Sequence, residues 1–114
     1  MASKLEFVEY VCAQIAGAGE VQHKRMFGEY GIHLNGKYIA AVCDNQLFMK
    51  PTPKGRELLI TPDEQPPYEG ASVNYFLLED LEDTEFLTKL FQAAWEDLPF
   101  PKPKKPKNPK AKKG

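Results

Sequence analysis

Residues 25–50 read RMFGEYGIHLNGKYIAAVCDNQLFMK, and the dipeptide Asn35-Gly36 in their middle decides what the chain becomes. Two apolar runs flank it, and Asn-Gly accepts the positive φ angles of a type I′ turn, so the stretch predicts a two-residue β-hairpin. With Asn35 and Gly36 as the loop, Leu34 pairs with Lys37, Ile32 with Ile39 and Tyr30 with Ala41. Side chains alternate along a strand, so this register puts Tyr30, Ile32, Leu34, Ile39 and Ala41 on one face, the expected core face. The other face carries Glu29, Gly31 and His33 against Val42, Ala40 and Tyr38, where the small Gly31 and Ala40 pair invites close packing. A polar turn, Asp44-Asn45-Gln46, leads to a further strand over Leu47–Lys50, which makes an antiparallel meander.

Working outward, Val21–Met26 predicts a strand ahead of the hairpin. A helix precedes it, because Ser3-Lys4-Leu5-Glu6 has the spacing of a capping box and Leu5, Val8, Cys12 and Ile15 recur at helical intervals. Phe7 and Val11 widen that stripe, and the helix is expected to end near Gly17. Gly17-Ala18-Gly19 is no dinucleotide loop, since it follows a helix rather than a strand; a helix C-cap is expected there. Beyond the meander, Thr52-Pro53 marks a helix start for Pro53–Leu59. Residues 61–70, TPDEQPPYEG, predict a loop, and Ser72–Leu78 a strand. The acidic run Glu79–Asp83 suits the N-terminal end of a last helix, whose apolar face holds Phe86, Leu87, Leu90, Phe91, Ala94, Trp95 and Leu98, and which Pro99 stops. The resulting order α-β-β-β-β-α-β-α is a two-layer α+β fold, an antiparallel sheet with helices on it.

Composition sets independent bounds. A chain of 114 residues with 42% hydrophobic content suits one domain with one core. No apolar run approaches the ~18 residues of a membrane span, and the N-terminus MASKLEFVEY lacks the apolar core of a signal peptide, so no membrane association and cytoplasmic residence are expected. The net charge of −1 conceals an asymmetry. Residues 101–114 hold seven lysines (Lys102, Lys104, Lys105, Lys107, Lys110, Lys112 and Lys113) and no acid, which leaves the first 100 residues with eight basic and sixteen acidic groups, a net of −8. The expected organisation is a folded domain over 1–100 and a disordered Lys/Pro-rich tail over 101–114. Two readings of the tail stand, nucleic-acid contact through its lysines or simple solubilisation.

Catalytic chemistry finds little footing. A nucleophile needs an oriented base, yet Cys12 and Cys43 fall at apolar positions and His23 and His33 sit in no motif. The cysteines read as buried free thiols in preference to a disulfide, and the Cys and His spacings match no common zinc site. No phosphate loop is present, and Glu79–Asp83 reads as solvated charge ahead of a helix. No cofactor, metal or catalytic residue is therefore expected.

The run from Arg25 to Ile32, then Asn35-Gly36-Lys37, Asp44 to Thr52, Gly55-Arg56, Pro66-Pro67-Tyr68 and the final helix resembles the N-terminal domain of the TfoX/Sxy family of bacterial competence regulators, from about Lys4 to Leu98. The resemblance implies a small α+β domain without enzymatic activity, tied to transcriptional control of DNA-uptake genes. Regulators of this family continue into a second helical domain where this sequence continues into the lysine tail, so a single-domain version is expected. The candidate interaction residues are Lys24, Arg25 and Phe27, from a basic and aromatic cluster in an acidic body, and Tyr30, Lys37 and Lys50, which the family pattern shares. The expected partner is a protein, with the transcription machinery as the leading class; the alternative is weak, non-specific nucleic-acid binding through the tail lysines.

Overall fold

The tight turns of the meander are built from residues that tolerate left-handed backbone. In the computed structural model, which describes residues 3–26 and 28–98, Asn35 (φ 47°) and Gly36 (φ 86°) join β2 (Glu29–Leu34) to β3 (Lys37–Cys43). Asp44 (φ 54°) and Asn45 (φ 56°) join β3 to β4 (Gln46–Met49) by a second two-residue turn. β1 (Val21–Met26) pairs with β2, so four consecutive strands form the predicted meander. The candidate Phe27 and the tail lysines lie outside the described residues.

The predicted hairpin register holds only next to the turn. Leu34 pairs with Lys37 and His33 with Tyr38, but Ile32 then faces Ala40, Gly31 faces Ala41 and Tyr30 faces Val42. Ile39 is the extra residue of a β-bulge, which inserts one position and reverses the alternation beyond it. Ile39, Ala40 and Val42 all join the main core, whereas Ala41, assigned to the core face from sequence, emerges on the opposite side of the sheet. The close packing expected over Gly31 is supplied by Met26, whose Sδ occupies the space that a Cβ at position 31 would need.

After α2 (Pro53–Leu59) the chain adds β5 (Asp63–Gln65) and β6 (Tyr75–Leu78), then α3 (Thr84–Asp97). The sheet order is β1-β2-β3-β4-β6-β5 and every pairing is antiparallel. β5 corrects the expectation of an unstructured 61–70, and the strand predicted over 72–78 shortens to its last four residues. Pro62 and Pro66 bracket three polar residues that have little β propensity, but an edge position lets them pair with β6 on one side only.

Capping is partly as predicted. Thr52 Oγ1 accepts from the Gly55 amide at 3.0 Å ahead of Pro53, and Asp83 Oδ1 accepts from the Phe86 amide at 3.1 Å. α1 (Leu5–Gln14) lacks the capping box: its N-cap is Lys4, and Ser3 is drawn away by the meander. Ser3 Oγ accepts from the Asn45 amide at 2.9 Å, and the Ser3 amide donates to Glu29 Oε1 at 2.8 Å. Leu5, expected in the buried stripe, is 47% exposed. At the other end Ile15 is the C-cap and a 3-10 turn, Ala16–Ala18, follows, so Gly17 does not close the helix. Gly19 (φ 152°) makes the exit, where the Glu20 amide donates to Asn35 Oδ1 at 2.8 Å and ties this corner to the hairpin tip.

The helices cover one face of the sheet. Val8 and Val11 of α1, its C-cap Ile15, and Leu87, Leu90 and Phe91 of α3 are buried against Ile32, Leu34, Leu47, Met49 and Phe76. Full burial of such side chains stabilises by about 1.5–3 kcal/mol each before conformational entropy is subtracted. The opposite face has a smaller cluster of Ala41, Cys43, Phe48 and Leu77, with Tyr68 and Tyr75 packed against it. Both cysteines are free, and they belong to opposite sides of the sheet, Cys12 with the main core and Cys43 with the smaller cluster.

Candidate interaction surface

The sheet divides the sequence-predicted residues between its two sides. Lys37 follows the turn and pairs with Leu34, which aims it at the helices. It is 5% exposed, and its Nζ donates to the carbonyls of Trp95 (2.8 Å) and Leu98 (2.5 Å) at the end of α3. The ammonium also sits 3.7 Å from the Trp95 ring centroid, while Trp95 Nε1 donates to the Leu34 carbonyl at 2.8 Å. A cation placed on the last carbonyls of a helix offsets their partial negative charge, so Lys37 locks α3 to the hairpin tip. As an interaction residue it is corrected to a buried structural cap.

β1 forms one edge of the sheet, and Gln22, His23, Lys24 and Arg25 are all exposed. His23 and Arg25 lie on the helix side, where the Arg25 guanidinium is 5.2 Å from the Tyr30 ring centroid and His23 meets the same ring edge-on at 6.0 Å. Tyr30 is half-buried against the main core. Lys24, one residue out of step, falls on the opposite side, where its charge acts on His33.

That opposite, helix-free side holds the candidate Lys50 together with residues the sequence reading did not select. His33 and Tyr38 face each other with ring centroids 5.6 Å apart, Tyr75 Oη donates to Tyr38 Oη at 3.4 Å, and Lys50 Nζ lies 5.3 Å from the Tyr38 ring. Burial, then the charge of Lys24, lowers the His33 pKa, and its Nδ1 is buried with no hydrogen-bond partner. Burial, then the Tyr75 hydroxyl, pushes the Tyr38 phenol well above its ordinary range. Burial, with Glu29 and Asp44 nearby, pushes the Cys43 thiol up to about 11. At neutral pH this side therefore presents a phenol and a neutral imidazole above the buried Cys43 thiol, with Lys24 and Lys50 at the rim. The signal for His33 and Tyr38 was present in the strand alternation, but Tyr75 reaches Tyr38 only because β6 crosses over to pair with β4.

Elsewhere the chemistry is sparse. A recess of about 380 Å³ lies between Ala18, Leu34, Asn35, Gln92, Trp95 and Glu96 beside the end of α3. Its carboxylate, Glu96, is already paired with Lys54 at 2.8 Å. Among the described residues no three His, Cys, Asp or Glu side chains gather as metal ligands, and no helix is long and apolar enough to cross a membrane.

An uncharacterised 12.7 kDa protein from the trpE 5′ region of Spirochaeta aurantia is 34% identical over 108 residues, covering 94% of this chain and 93% of that protein. The model of the TfoX N-terminal domain family matches residues 13–98, from the end of α1 to the end of α3. The meander, its turns, the crossover and the capped last helix all fall inside that match, and the chain belongs to the TfoX N-terminal domain family.

Proposed function

We propose that this chain is a non-enzymatic regulatory module that acts on transcription, as a cytoplasmic competence-type regulator, by binding a protein partner. The observation that carries this reading is the concentration of basic and aromatic groups on β1 and the helix-free side, in a body of net charge −8. Interfaces favour Tyr and Arg, and a basic rim on an acidic body selects an acidic partner surface. The same groups suit contact better than catalysis. A thiol held near 11 is a poor nucleophile at neutral pH, and His33 hydrogen-bonds to no described nucleophile. Family membership supports the regulatory class.

Transcript profiles of cells with and without the chain test the proposal, together with capture of purified RNA polymerase and its regulators by the full chain. A restricted set of changed transcripts and a saturable protein contact are expected. Sequence-specific DNA binding by the full chain without a partner would overturn the reading. Non-specific binding through the seven tail lysines is distinguished by its salt dependence, with a log-log slope of at most about −6.

A further inference from the structure

We infer that β1 is a docking edge for an extended acidic segment of a partner protein, which adds to the sheet as a seventh strand beside Val21–Met26. The inference rests on the interaction-module reading and names the edge and the chemistry of the partner. β1 is the longer of the two edge strands, six residues against three in β5, and it contains no proline. Among the described residues β2 is its only neighbour in the sheet, and its four central residues are exposed. An antiparallel edge turns the N–H and C=O groups of every second residue outward, which is a template for another strand.

Charge then specifies which strand. Lys24 and Arg25 form no ion pair with a described carboxylate, although the body is acidic. Glu29, across the β1–β2 turn, has its two oxygens engaged by the Ser3 and Asp44 amides. Because the strand alternates, Arg25 stands on the helix side and Lys24 on the helix-free side. The two cations therefore do not converge on one phosphate. A paired strand reaches both sides at once. Two consecutive acidic residues would stand opposite Lys24 and Arg25, one on each side of the sheet, and opposite charges across a strand pair are favourable. Val21 and Met26, half-buried at the two ends of β1, suit an apolar residue at either end of the added strand, next to the acidic pair at the Met26 end and two polar residues from it at the Val21 end.

The probe is acetyl-Val-Glu-Glu-Thr-Thr-Val-amide, whose antiparallel pairing with Val21–Met26 puts its two glutamates opposite Arg25 and Lys24 and its valines opposite Met26 and Val21; it is titrated into the full chain and followed by amide NMR. Saturable shifts confined to β1 and β2 are expected. Affinity should fall at least tenfold in the double variant Lys24→Glu/Arg25→Glu, and a peptide N-methylated at alternate residues should not bind. The Lys-Lys counterpart of the peptide should bind the double variant better than the original chain. Since all the altered side chains are exposed, the spectrum of the free double variant should show the same fold. No saturable shift at the solubility limit of the peptide would overturn the inference, as would equal binding by the N-methylated form or shifts centred on Tyr38 and Lys50. Self-association through β1 without peptide would overturn it in favour of a second copy, and saturable duplex DNA binding at β1 in favour of nucleic acid. Transcript changes that persist undiminished in the double variant would reject the edge and leave the regulatory reading intact.

Discussion

On one side of the sheet Ile32, Leu34, Ile39, Ala40, Val42, Leu47, Met49 and Phe76 are sealed beneath α1 and α3; on the other, Ala41, Cys43, Phe48 and Leu77 lie with Tyr68 and Tyr75 packed against them. Both sets come largely from the same strands, and strand alternation with one bulge sorts them. The side with helices spends its apolar surface on stability. The other keeps a thin apolar layer with phenols, an imidazole and an ammonium at its surface, which leaves it and the adjoining β1 edge accessible for recognition. Two lysines show the same division: Lys37 caps α3 from inside, and Lys50, half-buried over Tyr38, belongs to the accessible side.

The sharpest test of this contrast compares two phenylalanines on adjacent strands. Phe76→Ala, on the covered side and fully buried, should cost about 3–5 kcal/mol in chemical denaturation. Phe48→Ala, at 4% exposure beneath the half-buried Tyr68 and Tyr75, should cost at least about 1 kcal/mol less, because a thin layer can collapse into the space left. Equal losses would mean that the two sides are packed alike.

Lys37→Met should cost about 2 kcal/mol by leaving the Trp95 and Leu98 carbonyls without their charged donor, whereas Lys50→Met should stay within about 0.5 kcal/mol. Amide exchange in the last turn of α3 should quicken in the first variant only. Similar costs for the two would erase the distinction between cap and surface group.

Glu29 joins the N-terminus to the β3–β4 turn. Burial pushes its carboxyl up, but the hydrogen bonds from Asp44 and Ser3 outweigh this and hold its pKa below the ordinary value. A pKa depressed by folding adds stability above the unfolded-state value, and that stability disappears as pH falls through the folded-state value. Glu29→Gln should therefore cost about 1 kcal/mol at neutral pH, a figure reduced for partial exposure, with the gap closing in acid. Melting curves at neutral pH and near pH 3 would show it; a constant gap would place the effect outside this carboxylate.

Ile60 belongs to neither side. It is 82% exposed and sits at φ 66° and ψ −62°, with the Thr61 amide donating to the Leu59 carbonyl at 2.6 Å, the geometry of the strained form of γ-turn. Ile60→Gly should stabilise by about 0.5–1 kcal/mol, after the larger unfolded-state entropy of glycine is set against the strain removed. A lower melting temperature would show that the side chain makes a contact that offsets the strain.

The chain order of the elements was legible because local chemistry signals it: Asn35-Gly36 for the hairpin, Thr52-Pro53 for the start of α2, helical spacing for α1 and α3. β5 was missed because three polar residues between prolines carry no strand signal of their own, and only the hydrogen bonds of β6 recruit them. The capping box failed for a similar reason: Ser3 has a choice of donors, and the Asn45 amide, 42 residues away, wins.

The sequence by itself determined the α+β class, the meander, the family and the charge division between body and tail, because these depend on neighbouring residues or on composition. Tertiary structure alone decided the bulge at Ile39, the burial of Lys37 and the meeting of Tyr75 with Tyr38. Those outcomes depend on which strand or helix lies opposite a residue. A one-residue slip reverses the side every later side chain faces, and no local pattern encodes it.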